Sequence, residues 1–176
     1  DGDGDIDVLS ASMNDDKIAW YENDGSQNFT ARPISTSAVG AREVFAADVD
    51  GDGDIDVLSV SFGNDTIAWY ENDGSQNFSE HVVSTAADGP HAVFATDVDG
   101  DGDIDVLSAS IHDDKIAWYE NDGGQNFSAH AISTAADEAR RVFAADVDGD
   151  GDIDVLSASV GDDKIAWYRS EEHTSE

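Results

Sequence analysis

The sequence predicts an all-β protein, a β-propeller segment of four-stranded antiparallel blades, and three observations lead there. The four tryptophans Trp20, Trp69, Trp118 and Trp167 are evenly spaced, since 69 − 20, 118 − 69 and 167 − 118 all equal 49. Within each unit, short runs of aromatic and β-branched residues alternate with small polar ones at the strand period, and no apolar pattern follows the period of a helix. Clusters of Asp, Asn and Gly separate the runs. A unit of about 40–50 residues holding four short strands describes a propeller blade, whereas β-helix coils are shorter and leucine-rich, ankyrin or TPR units need helices or leucine spacings missing here.

The run DGDGDIDVLS recurs at Asp1, Asp50, Asp99 and Asp148, which sets repeats at 1–49, 50–98 and 99–147 and a truncated one at 148–168. In the second repeat the first strand is expected over Val44 to Asp48. The second spans Asp56 to Phe62, where Leu58, Val60 and Phe62 alternate with serines. The third covers Ile67 to Asn72 and the fourth Phe78 to Ser84. Asn72-Asp73-Gly74 between them marks a hairpin, because Gly tolerates the positive φ of a tight turn. The chain therefore carries about 3.5 blades in an open arc, and closed rings of four to eight blades imply further blades beyond it. After Tyr168 the pattern stops. Residues 169–176 match the in-frame translation of a sequencing adapter and are read as a non-repeat, artefactual tail.

At 176 residues, with 39% hydrophobic residues, the chain has the material for a core. Its 40 Asp and Glu against 8 Lys and Arg give a net charge of −32, which excludes a general grip on nucleic acid or anionic lipid. No stretch approaches the roughly 18 apolar residues of a membrane-spanning helix. With no cysteine there is neither a disulfide framework nor a thiolate metal site.

The acids are patterned. Asp48, Asp50, Asp52 and Asp56 stand at positions 1, 3, 5 and 9 of one loop, with Asp54 at position 7, where a backbone carbonyl commonly serves as the ligand. The same set returns as Asp97, Asp99, Asp101, Asp103 and Asp105, and again as Asp146, Asp148, Asp150, Asp152 and Asp154. Asp1, Asp3, Asp5 and Asp7 form a partial first loop. Carboxylates about 5 Å apart repel by roughly 3 kcal/mol per pair at an effective dielectric near 20, so the spacing calls for a cation. Oxygen-only donors on a flexible loop favour Ca2+, at about three complete sites, over zinc, copper or magnesium. An EF-hand shares the first nine positions but needs a bidentate Glu at position 12, where this chain has Ser59, Ser108 and Ser157. Gly53 at position 6 permits the turn, and Ile55 at position 8 is expected to anchor the loop in the core.

On these residues the chain resembles the FG-GAP or VCBS-type repeats of integrin-α-like propellers, whose D-x-D-G-D-G-x-x-D loop stands here as DVDGDGDID. The resemblance covers residues 1–168. It implies calcium that stabilises each blade, a ring usually of seven blades, and an extracellular or cell-surface adhesion or binding module. Some relatives are propellers of polysaccharide lyases. The FG and GAP elements themselves are altered, reading VFAAD and DKIAWY.

Differences between the repeats cluster in the turn after the second strand (Asn14, Gly63, His112, Gly161) and in the link between blades (37–43, 86–92, 135–141). A meander places both on the face opposite the acid loops, which makes that face the candidate for a protein or glycan partner. Arg42, Glu43, His91, His112, Arg140 and Arg141 are its candidate contacts. The tryptophans are expected to pack between blades, and His81 and His130 to lie at the surface with Arg32. No serine stands beside a matched base, so no enzyme is expected within the chain. The alternatives are the propeller portion of a carbohydrate-active lyase and a passive structural spacer.

Overall fold

The computed structural model describes residues 2–170; Asp1 of the partial loop and residues 171–176 of the tail lie outside the described residues. Among the described residues, fourteen strands form four antiparallel meanders. The first sheet holds β1 (Val8–Ser12), β2 (Lys17–Asn23) and β3 (Phe29–Ser35). The second holds β4 (Ala41–Ala47), β5 (Asp56–Ser61), β6 (Thr66–Asn72) and β7 (Phe78–Ser84), and the third holds β8 (Pro90–Thr96), β9 (Asp105–Ser110), β10 (Lys115–Asn121) and β11 (Phe127–Ser133). The last has β12 (Ala139–Ala145), β13 (Asp154–Ser159) and β14 (Lys164–Tyr168). Among the described residues two four-stranded sheets thus stand between two three-stranded ones, in an open arc.

Strand existence follows the reading of the sequence, and β7 keeps its expected bounds. β4 starts earlier than expected, at Ala41 rather than Val44, because a β-bulge lets Ala41 pair with Ser61 while Glu43 pairs with Val60. Arg42 is the extra residue. The hairpin between β6 and β7 is also longer than the Asn-Asp-Gly signal implied. It spans residues 73–77, with Gly74 at φ +73° and Gln76 at φ +60°, and the Asn72 side-chain oxygen accepts hydrogen bonds from both their amides.

The core lies between sheets. Leu58, Val60, Ile67 and Trp69 of one sheet bury against Val93, Val106 and Tyr119 of the next. Burying such side chains contributes about 1.5–3 kcal/mol each. Trp69 is 2% exposed and Trp118 packs on the following sheet, as packing between blades requires, while Trp167 on the last sheet is 48% exposed. The first strands β4, β8 and β12 pack side by side along the inner edge. There Phe45, Phe94 and Phe143 form a row with ring centroids 4.8 Å apart.

Candidate metal centre and the opposite face

Each acid loop joins the first two strands of a blade, and its own backbone shapes it. Asp48 accepts hydrogen bonds from the amides of Gly51 and Gly53 at 2.8 and 3.0 Å, and Asp97 and Asp146 repeat this with Gly100 and Gly102 and with Gly149 and Gly151. Gly53 has φ +96°, a conformation that L side chains rarely adopt. These bonds fold the loop so that carboxylates converge. One oxygen each from Asp48, Asp50 and Asp56 lies within 4.8 Å of the others, as do those of Asp97, Asp99 and Asp101 and those of Asp146, Asp148 and Asp154. Ligands around one calcium, each about 2.3–2.6 Å from it, sit within about 5 Å of one another, so the spacing and the all-oxygen chemistry both fit that ion.

Asp56, Asp105 and Asp154 are fully buried at the start of a second strand. Both oxygens of Asp56 accept backbone amides, Val49 at 2.9 Å and Asn72 at 2.8 Å, and Asp105 does the same with Val98 and Asn121. Burial pushes the Asp56 carboxyl up against those amides, and pushes Asp105 up to about 6. The indole N–H groups of Trp69 and Trp118 approach the two carboxylates and favour their charge without a regular hydrogen bond. Asp50 and Asp99 are also raised, chiefly by burial, with neighbouring acids adding to it.

The remaining loop acids lie outside these three groups. Asp52 accepts the Asp54 amide at 2.9 Å. Asp54 and Asp103 stand away from the triads, beside the hairpin glycines: a Cβ on Gly74 would lie 2.5 Å from Asp54, and one on Gly123 as near Asp103. Asp152 is buried, and Asp150, held low by the Asp152 amide, also pairs with Arg169. In the partial loop, Asp3 accepts the Asp5 amide and Asp7 the Asn23 amide. The position-8 anchor holds in two of the loops: Ile104 and Ile153 are partly buried on the core, but Ile55 is 56% exposed and Ile6 81%. Ile55 instead borders a cavity of about 240 Å³ with Leu9, Trp20, Asp54, Val57 and Phe78, whose lining contains no Lys, Arg or His.

At the other end of the strands the turn and the link are tied together. Asp16 and Asp65, both at positive φ, accept the amides of Gly40 and Gly89, and Gly63 and His112 donate theirs to the Val39 and Asp88 carbonyls. These turn aspartates were missed in the sequence, although their recurrence every 49 residues was the available signal. The candidate contacts do gather here. Arg42 lies over Phe62 at 4.7 Å, Phe62 meets His112 edge-on, and His112 pairs with Asp88. Glu43 binds both the Val93 amide and Arg141, which is 98 residues distant. His91 is lowered by burial and then by Arg140, Arg42 and Arg141, while its Nδ1 contacts the Arg140 carbonyl. His81 and His130 are exposed as expected, His81 stacked on Trp69 and His130 tilted against Trp118, and they pair with Glu71 and Glu120.

Residues 1–59, 48–108 and 97–157 each match the FG-GAP-like repeat family. No curated protein matches the chain. Among solved structures, a lectin of Agrocybe aegerita, described as specifically recognising non-reducing terminal N-acetylglucosamine, is similar with a TM-score of 0.56 at 20% identity. The likeness is one of fold. It covers 86% of this chain and 47% of the lectin, so the chain spans about half that lectin's length.

Proposed function

This chain belongs to the FG-GAP-like repeat family, and on that premise we propose that it is a calcium-stabilised propeller module that recognises a glycan or protein ligand outside the cell. The observation that carries the reading is the convergence of three carboxylate oxygens in each of three loops spaced by one repeat. Asp48, Asp50 and Asp56 would hold one ion, Asp97, Asp99 and Asp101 a second, and Asp146, Asp148 and Asp154 a third. A bound Ca2+ supplies positive charge that offsets the repulsion among these acids. The chain's own residues do the rest, with the buried aspartates fastening each loop to a strand and the glycines giving its turns. Calcium at about 100 times its dissociation constant stabilises a fold by about 2.7 kcal/mol per site, and dissociation constants of extracellular type suit a calcium-rich compartment.

Recognition belongs to the opposite face, where the links and turns differ from repeat to repeat on a rigid frame. The N-acetylglucosamine recognition described for the fold neighbour supports a glycan as the ligand class. Binding without turnover is the proposed activity. Calorimetric titration of the chelator-stripped chain with Ca2+ tests the metal reading: saturation near three ions per chain supports it, and no saturable binding to folded protein overturns it.

A further inference from the structure

Three side chains on the inner strands share one unusual position. The ladder pairs Ala41 with Ser61 and Glu43 with Val60, Pro90 with Ser110 and Ala92 with Ala109, and Ala139 with Ser159 and Arg141 with Ala158. Each step skips one residue. Those residues are Arg42, His91 and Arg140, one repeat apart, on strands that pack side by side. A bulge frees its residue from the ladder and re-aims its side chain, so three basic groups emerge together on the face away from the acid loops.

Charge pairing sets Arg42 apart within this row. Lys17, Arg32, Lys115, Arg140, Arg141, Lys164 and Arg169 each pair with a carboxylate, on Asp15, Glu22, Asp113, Glu138, Glu43, Asp162 and Asp148 respectively. Arg42 alone among the chain's Lys and Arg residues has no carboxylate partner among the described residues, although 40 acids surround 8 bases. It is exposed and rests on the Phe62 ring. The face also carries Glu43, Asp88 and Glu138, engaged by Arg141, His112 and Arg140, and the turn aspartates, of which Asp15, Asp113 and Asp162 pair with lysines and Asp16, Asp65 and Asp114 accept backbone amides.

We propose that this bulge row, Arg42 with His91, Arg140 and the adjoining Arg141, binds the anionic group of an acidic saccharide, Arg42 supplying the free guanidinium. The proposal rests on the reading of this face as glycan-binding and names the chemistry of the ligand. A guanidinium presents a planar fork of donors that fits a carboxylate or a sulfate. The edge-to-face rings of Phe62 and His112 beside it offer an apolar border for a sugar ring rather than for an extended acidic peptide. The chain's net negative charge does not forbid such a ligand, because at 0.15 M salt a charge is screened within about 8 Å and the acid loops lie at the other end of the strands.

The test is calorimetric titration of the full calcium-treated chain at 0.15 M salt with trigalacturonate, a sulfated heparin disaccharide, maltotriose and triglutamate. The proposal expects an acidic sugar to bind, and Arg42→Gln to weaken it at least about tenfold, while Arg32→Gln on an outer strand leaves it unchanged. Arg42→Lys should fall between, and Arg140→Gln gives a second variant whose binding should also weaken. Binding of either trigalacturonate or the sulfated disaccharide that Arg42→Gln weakens supports the proposal and identifies the acid. Binding of maltotriose alone, or acidic-sugar binding insensitive to Arg42→Gln, overturns it and leaves glycan recognition standing. Triglutamate binding as tightly as the sugars overturns it in favour of a peptide ligand. No binding by any probe overturns both this inference and the glycan reading.

Discussion

The Asn72 backbone amide donates a 2.8 Å hydrogen bond to the buried Oδ1 of Asp56, sixteen residues earlier in the chain. The other oxygen of Asp56 takes the Val49 amide, so one carboxylate closes its own loop and fixes the end of β6. The arrangement returns at Asp105 with Asn121 and Val98. Removing it strands two amides, each costing about 1–3 kcal/mol when buried unsatisfied. Asp56→Ala should therefore lose about 2–5 kcal/mol even in chelator, and Asp56→Asn, which retains one acceptor oxygen, about half of that. Urea denaturation of the metal-free protein measures both, and a loss under 1 kcal/mol for Asp56→Ala contradicts the role.

Metal-free stability should fall as the pH rises from about 4 to about 6. Asp105 has its folded-state value pushed up to about 6, chiefly by burial, from an ordinary 3.8. The folded chain thus keeps the proton where the unfolded chain has released it, and stability is lost across that interval. Asp73, held low first by the Asn77 side chain, and Asp122, held low first by the Gly124 amide and then by the Asn126 side chain, act in the opposite sense and only below their ordinary value. Thermal melts in chelator at pH 4.5 and 6.5 should show the higher midpoint at pH 4.5. Asp105→Asn should reduce the difference and leave the share of Asp50, Asp56 and Asp99, which burial raises in the same sense.

Ile67 and Ile165 occupy the same place in their repeats, yet Ile67 is 0% exposed and Ile165 82%. Ile67→Ala should cost about 2–5 kcal/mol and Ile165→Ala under about 0.5. Chemical denaturation distinguishes them. Equal costs would mean that the last sheet is covered in solution as Ile67 is.

Glu138 has φ +51° at the position where the preceding links carry Gly40 and Gly89 at φ +66° and +65°. A left-handed conformation costs an L-residue about 1–2 kcal/mol, partly offset by the greater freedom that glycine has when unfolded. Glu138→Gly should raise stability by about 0.5–1 kcal/mol, read from the denaturation midpoint. A loss instead would assign net stabilising weight to the ion pair between Glu138 and Arg140.

Much of this was legible because repetition turns one chain into its own alignment. The 49-residue step located every blade, the alternation of Leu58, Val60 and Phe62 with serines located a strand, and DVDGDGDID located a loop of converging acids. The alternation marks which side chains share a face, and that is a local property of an extended backbone. Local spacing likewise set the aspartates near one another.

The rest was decided between elements. Sequence spacing assigns the same loop positions to all three complete loops, but Asp101 joins the third-repeat cluster where Asp56 and Asp154 join theirs. The bulges that aim Arg42, His91 and Arg140, the contact of Arg141 with Glu43 across 98 residues, and the burial of Ile67 against exposure of Ile165 likewise follow from which strand or sheet lies alongside. A residue's own sequence neighbours set its conformation and the face it occupies. Its partner, its desolvation and its charge state depend on groups that only the packing of one sheet on the next brings within a few ångströms.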